Sequence, residues 1–238
     1  GRWQAILPLV TPRLWSRHGL FAAAYHWRSV PVTLLPSALL AFGFAIAPVL
    51  ALPYAANTAL AAQVALSMRL LEMPTQMFGT VTAPIAVNWL RSRAGQRRRL
   101  AARGMTLGLL GIAALLFGTI ALAGTLVEPL FEGTHWDSLG QVLALLAPFY
   151  AGIAVLTPLQ DMATLSRQPV WQVVINAAAL VAIIATMISF GALSAGLLQA
   201  IGLISILRAL AHTGFIWLHL GEAEGTPVGD GVVGSPAR

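Results

Sequence analysis

The sequence predicts an all-α integral membrane domain, a six-helix transmembrane bundle, on three observations. Hydrophobic residues make up 58% of the 238 and charged residues only 9%. Soluble domains carry roughly a quarter charged residues, so there is too little charge here to cover a water-facing surface. Apolar runs long enough to cross about 30 Å of hydrocarbon recur between short polar or Pro/Gly breaks, and the arginines gather in alternate connections.

Residues 1–29 read as a cytoplasmic basic connector. Leu14, His18, Phe21 and Tyr25 recur on one helical face and Arg13, Arg17 and Arg28 on a neighbouring one, the pattern of a helix lying at a membrane surface. The bundle follows over 30–220, its first span expected at 30–53. A second span at 59–90 would measure about 48 Å as one helix at 1.5 Å per residue, so it must tilt, kink or project. Pro74 and Pro84 lie inside it, and Pro74 is expected to break the helix. Pro36 and Pro48 in the first span, and Pro148 and Pro158 in the fourth, are expected to act in the same way. Further spans are expected at 105–127, 138–164, 170–190 and 196–219, with 221–238 a flexible Gly/Pro-containing cytoplasmic tail. A start at Gly1 without Met reads as the C-terminal half of a longer chain.

Orientation follows from the loop charges, because cytoplasmic loops retain arginine. Segment 1–29 holds Arg2, Arg13, Arg17 and Arg28; segment 91–104 holds Arg91, Arg93, Arg97, Arg98, Arg99 and Arg103; the turn at 165–169 holds Arg167. The connections 54–58, 128–137 and 191–195 have none, and the middle one carries Glu128, Glu132 and Asp137. An even number of spans then puts both termini of the segment in the cytoplasm. The net charge of +6, all from arginine, fits anionic membrane lipid rather than nucleic acid, since Arg91 to Arg103 directly abut two spans and lack interleaved aromatics.

Charges inside spans are the candidates for function. Arg69 and Glu72, three residues apart before Pro74, can share a helix face and partly neutralise one another. Two readings stand: a structural ion pair, or an interior cation that meets an anionic substrate, for which a guanidinium's paired donors are suited. Gln76 and Arg208 complete the candidate substrate contacts, although Arg208 can also snorkel to the nearer interface. Asp161, near a span end, is expected to be solvated or paired with Arg167. Gln63, Asn88, Gln141, Gln160, Asn176 and Gln199 are expected to join helices.

Enzyme classes fail by inventory. With no cysteine, G-x-S-x-G elbow, phosphate-cradling glycine loop or H-E-x-x-H, neither catalysis, a cofactor nor a metal is expected. His212 and His219 are seven apart with no carboxylate between them, and Ser205 with His212 makes a poor nucleophile and base.

Leu34-Leu35-Pro36-Ser37-Ala38-Leu39-Leu40, after a basic-aromatic segment with Tyr25 and Arg28, resembles the opening of the second half of bacterial polysaccharide (O-antigen type) flippases. These belong to the multidrug/oligosaccharidyl-lipid/polysaccharide exporter superfamily. Ala65 to Pro74 with Arg69, then Gly79, follow in the family's order, and Leu130-Phe131-Glu132-Gly133-Thr134-His135-Trp136 is similar to its periplasmic loop. Leu143 to Pro148, Thr157-Pro158-Leu159 and Ser166-Arg167-Gln168 continue the match. Glu72 departs from it, standing where a small or apolar residue is expected. The resemblance implies one half of a 12-helix transporter in the bacterial inner membrane, flipping a polyprenyl-diphosphate-linked oligosaccharide by alternating access. It implies as partners membrane lipids, the N-terminal half of the same protein, a polysaccharide polymerase and glycosyltransferases. A related lipid II or multidrug exporter, or a non-transporting membrane scaffold, are the alternatives.

Overall fold

A computed structural model describes Tyr25 and residues 34–93, 95–166 and 170–220. The connector over 1–29, apart from Tyr25, the tail over 221–238 and Arg167 lie outside the described residues. Those described form helices and short connections, with no strand among them.

The first expected span is two helices, α1 (Leu35–Ala45) and α2 (Ala47–Ala51), the latter running into a 3-10 turn at Leu52–Tyr54. The two parts meet at 43°. Pro36 does not interrupt α1, because it sits in the first turn, where the missing N–H has no helical partner to lose. Pro48 sits in the first turn of α2 and removes the bond that would tie it back to α1, and the chain bends at Ile46.

Helix α3 (Thr58–Arg91) is 34 residues long, about 51 Å at 1.5 Å per residue. Asn57 caps it, its Oδ1 accepting from the Leu60 N–H at 2.7 Å. The expected break at Pro74 is absent: α3 is one helix through both Pro74 and Pro84. Each proline removes a single backbone bond, while a buried row that includes Val64, Ser67, Leu71, Phe78 and Ala86 packs α3 along its length. The Thr75 hydroxyl adds a bond to the Leu71 carbonyl at 2.7 Å beside the proline.

Helix α4 (Gly95–Val127) begins ten residues before the expected span, since Gln, Arg, Leu and Ala over 96–104 are strong helix formers. Helices α5 (Leu139–Ala163), α6 (Val170–Phe190) and α7 (Ala195–His219) fall within a residue of their expected limits. Gly191, at φ +63°, ends α6 in the left-handed conformation that costs glycine least, and the Ser194 side chain caps α7.

Among the described residues four helices are long and apolar enough to cross a membrane, α4 to α7, or five if the bent α1–α2 pair is one span. Of the six expected spans, α3 is the one outside this set, because Gln63, Arg69, Glu72 and Gln76 dilute its apolar residues. Helix α5 is the centre, packed against α3, α4 and α7, while α6 rests on α7 and α1. Buried residues fill 67% of the apolar window of α5 and 17% of those of α4 and α6. The outer faces carry exposed Leu39, Met73, Leu115, Ile188 and Leu203, a surface that would aggregate in water and that suits hydrocarbon.

The arginine-free connections meet at one end. The Leu193 N–H donates to the Tyr54 carbonyl at 2.9 Å, and Gln63 Nε2 in the second turn of α3 donates to the His135 carbonyl at 2.8 Å. Towards the opposite end Trp217 Nε1 donates to Thr106 Oγ1 at 2.7 Å, tying the last turn of α7 to the first half of α4.

Candidate functional site

Three of the four expected substrate contacts come together. Arg69, Glu72 and Gln76 project from α3 into a cleft of about 500 Å³, walled on the other side by Phe42, Ile46 and Val49 of α1 and α2 and floored by Tyr150 and Ile153 of α5. The spacing explains the row, since residues three and four apart share a helix face. Glu72 stands between the other two: Arg69 Nη1 lies 3.8 Å from Glu72 Oε2, and Gln76 Nε2 donates to Glu72 Oε1 at 3.0 Å. At 3.8 Å the ion pair is a charge contact longer than a hydrogen bond. The Arg69 side chain is 84% exposed, so its donors are open to an incoming group. The bend at Ile46 forms part of the wall, so any change in the α1–α2 angle would change the cleft.

Tyr150 belongs to the cleft although nothing in its local sequence marks it. It is nearly buried, and its ring meets Phe149 edge-on at 5.4 Å. In the sequence it reads as an ordinary aromatic of a buried helix; only the approach of α3 and the α1–α2 bend puts its edge in a polar cleft. An aromatic phenol beside a guanidinium, a carboxylate and an amide can bind polar hydroxylated or anionic groups, with apolar contact from α1.

Arg208 is not part of this cleft, and it does not snorkel. It is 4% exposed. Its Nε donates to Asn176 Oδ1 of α6 at 2.9 Å, and its guanidinium lies 4.2 Å above the Phe44 ring of α1, a cation–π contact. Asn176 Nδ2 in turn donates to Ser37 Oγ of α1 at 2.8 Å. Phe44 stacks on Phe149 of α5 at 5.6 Å. The result is a buried polar junction linking α1, α6 and α7, with α5 beneath. An interior position with a ready amide acceptor competes with snorkelling, and the seat on Phe44 helps to hold the side chain inward. Among the described residues no carboxylate lies within 4.0 Å of Arg208, and its Nη2 is buried without an acceptor.

Of the expected helix-joining residues Asn176 does that work and Gln63 ties α3 to the connection at His135, as above, whereas the Gln160 side chain does not: only its backbone carbonyl accepts from Gln172 Nε2, at 3.4 Å, and its own Nε2 is buried without a partner among the described residues. Asn88, Gln141 and Gln199 face outward instead. Asp161 is exposed. Ser205 Oγ donates to the Phe149 carbonyl at 2.8 Å and His212 Nδ1 meets the Arg208 carbonyl at 3.0 Å, so both hydroxyl and imidazole are engaged with backbone and do not pair. Among the described residues no group of three His, Asp or Glu could hold a metal ion.

Among the described residues these features amount to an all-helical fold with four helices able to cross a membrane, or five if the α1–α2 pair is one span, compatible with a membrane protein, and with a polar cleft between the α1–α2 bend, α3 and α5. No family model matches the chain, and neither a curated protein nor a solved structure matches it.

Proposed function

We propose that the chain is one bundle of a flippase that moves a lipid-linked oligosaccharide across the bacterial inner membrane for surface polysaccharide synthesis. It acts without bond-breaking chemistry. The supporting observation is the cleft: a polar row of Arg69, Glu72 and Gln76 with Tyr150, opening from a bundle whose outer faces are apolar. A guanidinium suits a diphosphate, and amide, phenol and carboxylate suit sugar hydroxyls. At about 500 Å³ the cleft fits a diphosphate with the first sugar and not a whole glycan, so the N-terminal half of the same protein supplies the facing wall.

In this reading the α1–α2 pair and α3 complete six spans, and the arginine-free end faces outward. Both termini of the segment then lie on the cytoplasmic side. A lipid II or multidrug exporter would use the same geometry. The scaffold reading draws on one specific observation, that Glu72 already holds Arg69 and Gln76. Arg69→Ala and Arg69→Lys in the full-length protein separate the two readings. Under the flippase reading surface polysaccharide falls with Arg69→Ala and is partly kept with Arg69→Lys; normal polysaccharide with both overturns substrate contact by Arg69.

A further inference from the structure

The cleft between the α1–α2 bend, α3 and α5 is balanced in charge. Among the described residues that line it, Arg69 and Glu72 are the charged ones, one of each sign, and they face one another at 3.8 Å. Along α3 the side chains run donor, acceptor, donor: the Arg69 guanidinium, the Glu72 carboxylate and the Gln76 amide, whose Nε2 donates to Glu72 Oε1 at 3.0 Å. From Arg69 to Gln76 the helix advances about 10 Å, so neighbouring groups of one ligand can meet different members of the row. Glu72 is the more sheltered of the charged pair, its side chain 46% exposed against 84% for Arg69. A carboxylate offers about four acceptor sites, and Arg69 and Gln76 together leave part of that capacity open to the cleft. The other walls answer neither charge: Phe42, Ile46 and Val49 are apolar, and the Thr75 hydroxyl is committed to the Leu71 carbonyl at 2.7 Å.

This balance sets a rule for the ligand. A bare terminal phosphate brings negative charge and no donor, so its attraction to Arg69 is offset by repulsion from Glu72, whose open acceptor sites it also leaves unmatched. Joining a sugar to that phosphate removes an ionisable oxygen and sets hydroxyl donors beside it. The phosphate then meets Arg69 while a hydroxyl donates to Glu72, and both charges are answered. We propose that, given the flippase reading of this cleft on which the assignment rests, Glu72 is a specificity-determining residue that admits the glycosylated lipid diphosphate and rejects the bare lipid diphosphate carrier.

The test is binding to the purified full-length protein in a neutral detergent. Farnesyl diphosphate is the bare probe, and farnesyl diphosphate bearing N-acetylglucosamine on its terminal phosphate is the loaded one. Wild type should bind the loaded probe about tenfold more tightly. In Glu72→Gln, which keeps the shape and an acceptor but not the charge, the ratio should fall towards one, mainly through tighter binding of the bare probe. Glu72→Ala, which removes the acceptor as well, should lower the ratio at least as far. Equal binding of the two probes by wild type, or an undiminished ratio in Glu72→Gln, would overturn the assignment. Arg69→Ala separates that failure from failure of the cleft itself. Binding of neither probe by wild type, or binding indifferent to Arg69→Ala, overturns the cleft as a substrate site and Glu72 with it, whereas equal binding that Arg69→Ala weakens overturns the selectivity of Glu72 alone.

Discussion

Replacing Asn176 by leucine should loosen α6 from both α1 and α7. Asn176 is fully buried and makes the bonds to Arg208 Nε at 2.9 Å and Ser37 Oγ at 2.8 Å. Leucine has the same heavy-atom branching and leaves no cavity, so the loss is polar. Removing the partner of a buried charged group costs about 1.5–3 kcal/mol, and an interhelical bond to a neutral hydroxyl within a membrane bundle adds about 0.6 kcal/mol. The sum is roughly 2–4 kcal/mol, or about 4–16 °C in Tm at about 2–4 °C per kcal/mol for a domain of this size. Asn176→Asp is the informative control, because a carboxylate keeps the acceptor for Arg208, brings it a counter-charge and can accept from the Ser37 hydroxyl in place of the lost donated bond; it should lie above Asn176→Leu. Adding Arg208→Met to Asn176→Leu removes the stranded cation, so the double variant should recover part of the loss. The assay is Tm by circular dichroism in one detergent at one scan rate. A Tm for Asn176→Leu equal to wild type, or a double variant worse than the sum of the singles, would refute the junction.

Gly152→Val should destabilise by about 1–3 kcal/mol in the same assay, because a Cβ there would collide with Ser205 where α5 and α7 touch; Gly111→Ala, with nothing within 4 Å, should be neutral or stabilising. The chain has no cysteine, so single cysteines at Glu132 and Arg97 report cleanly on the two ends of the bundle. They should label from opposite sides of the membrane in vesicles, and same-side labelling would refute the span arrangement.

How much of this was legible in advance differs from element to element. The limits of α5, α6 and α7 could be read closely, because short polar or glycine-containing breaks bound their apolar runs; at two of these limits Gly191 and Ser194 stop α6 and cap α7 in the structure. Pro74 misled, since a proline announces a lost bond and says nothing of the packing that keeps a long helix whole. Pro48 did bend the chain, at a place where short α2 has little else to hold it in line. The row Arg69, Glu72 and Gln76 followed from helical spacing, but Tyr150, eighty residues away, joins it only because α3 crosses α5.

What the sequence alone determined is therefore local or summed: too little charge for a watery surface, apolar lengths that can cross a membrane, arginine on alternate connections and a polar stripe along α3. These depend on composition and on the helix period, which any segment carries with it. The tertiary structure decided where the polar groups end up. Arg69 and Arg208 look alike in sequence, each a lone cation in an apolar stretch, yet one opens into a cleft and the other is sealed beneath α1 and α6. The difference comes from neighbours distant in the chain, Ser37, Phe44 and Asn176 for Arg208, and burial depends on which helices pack together rather than on what any one helix contains.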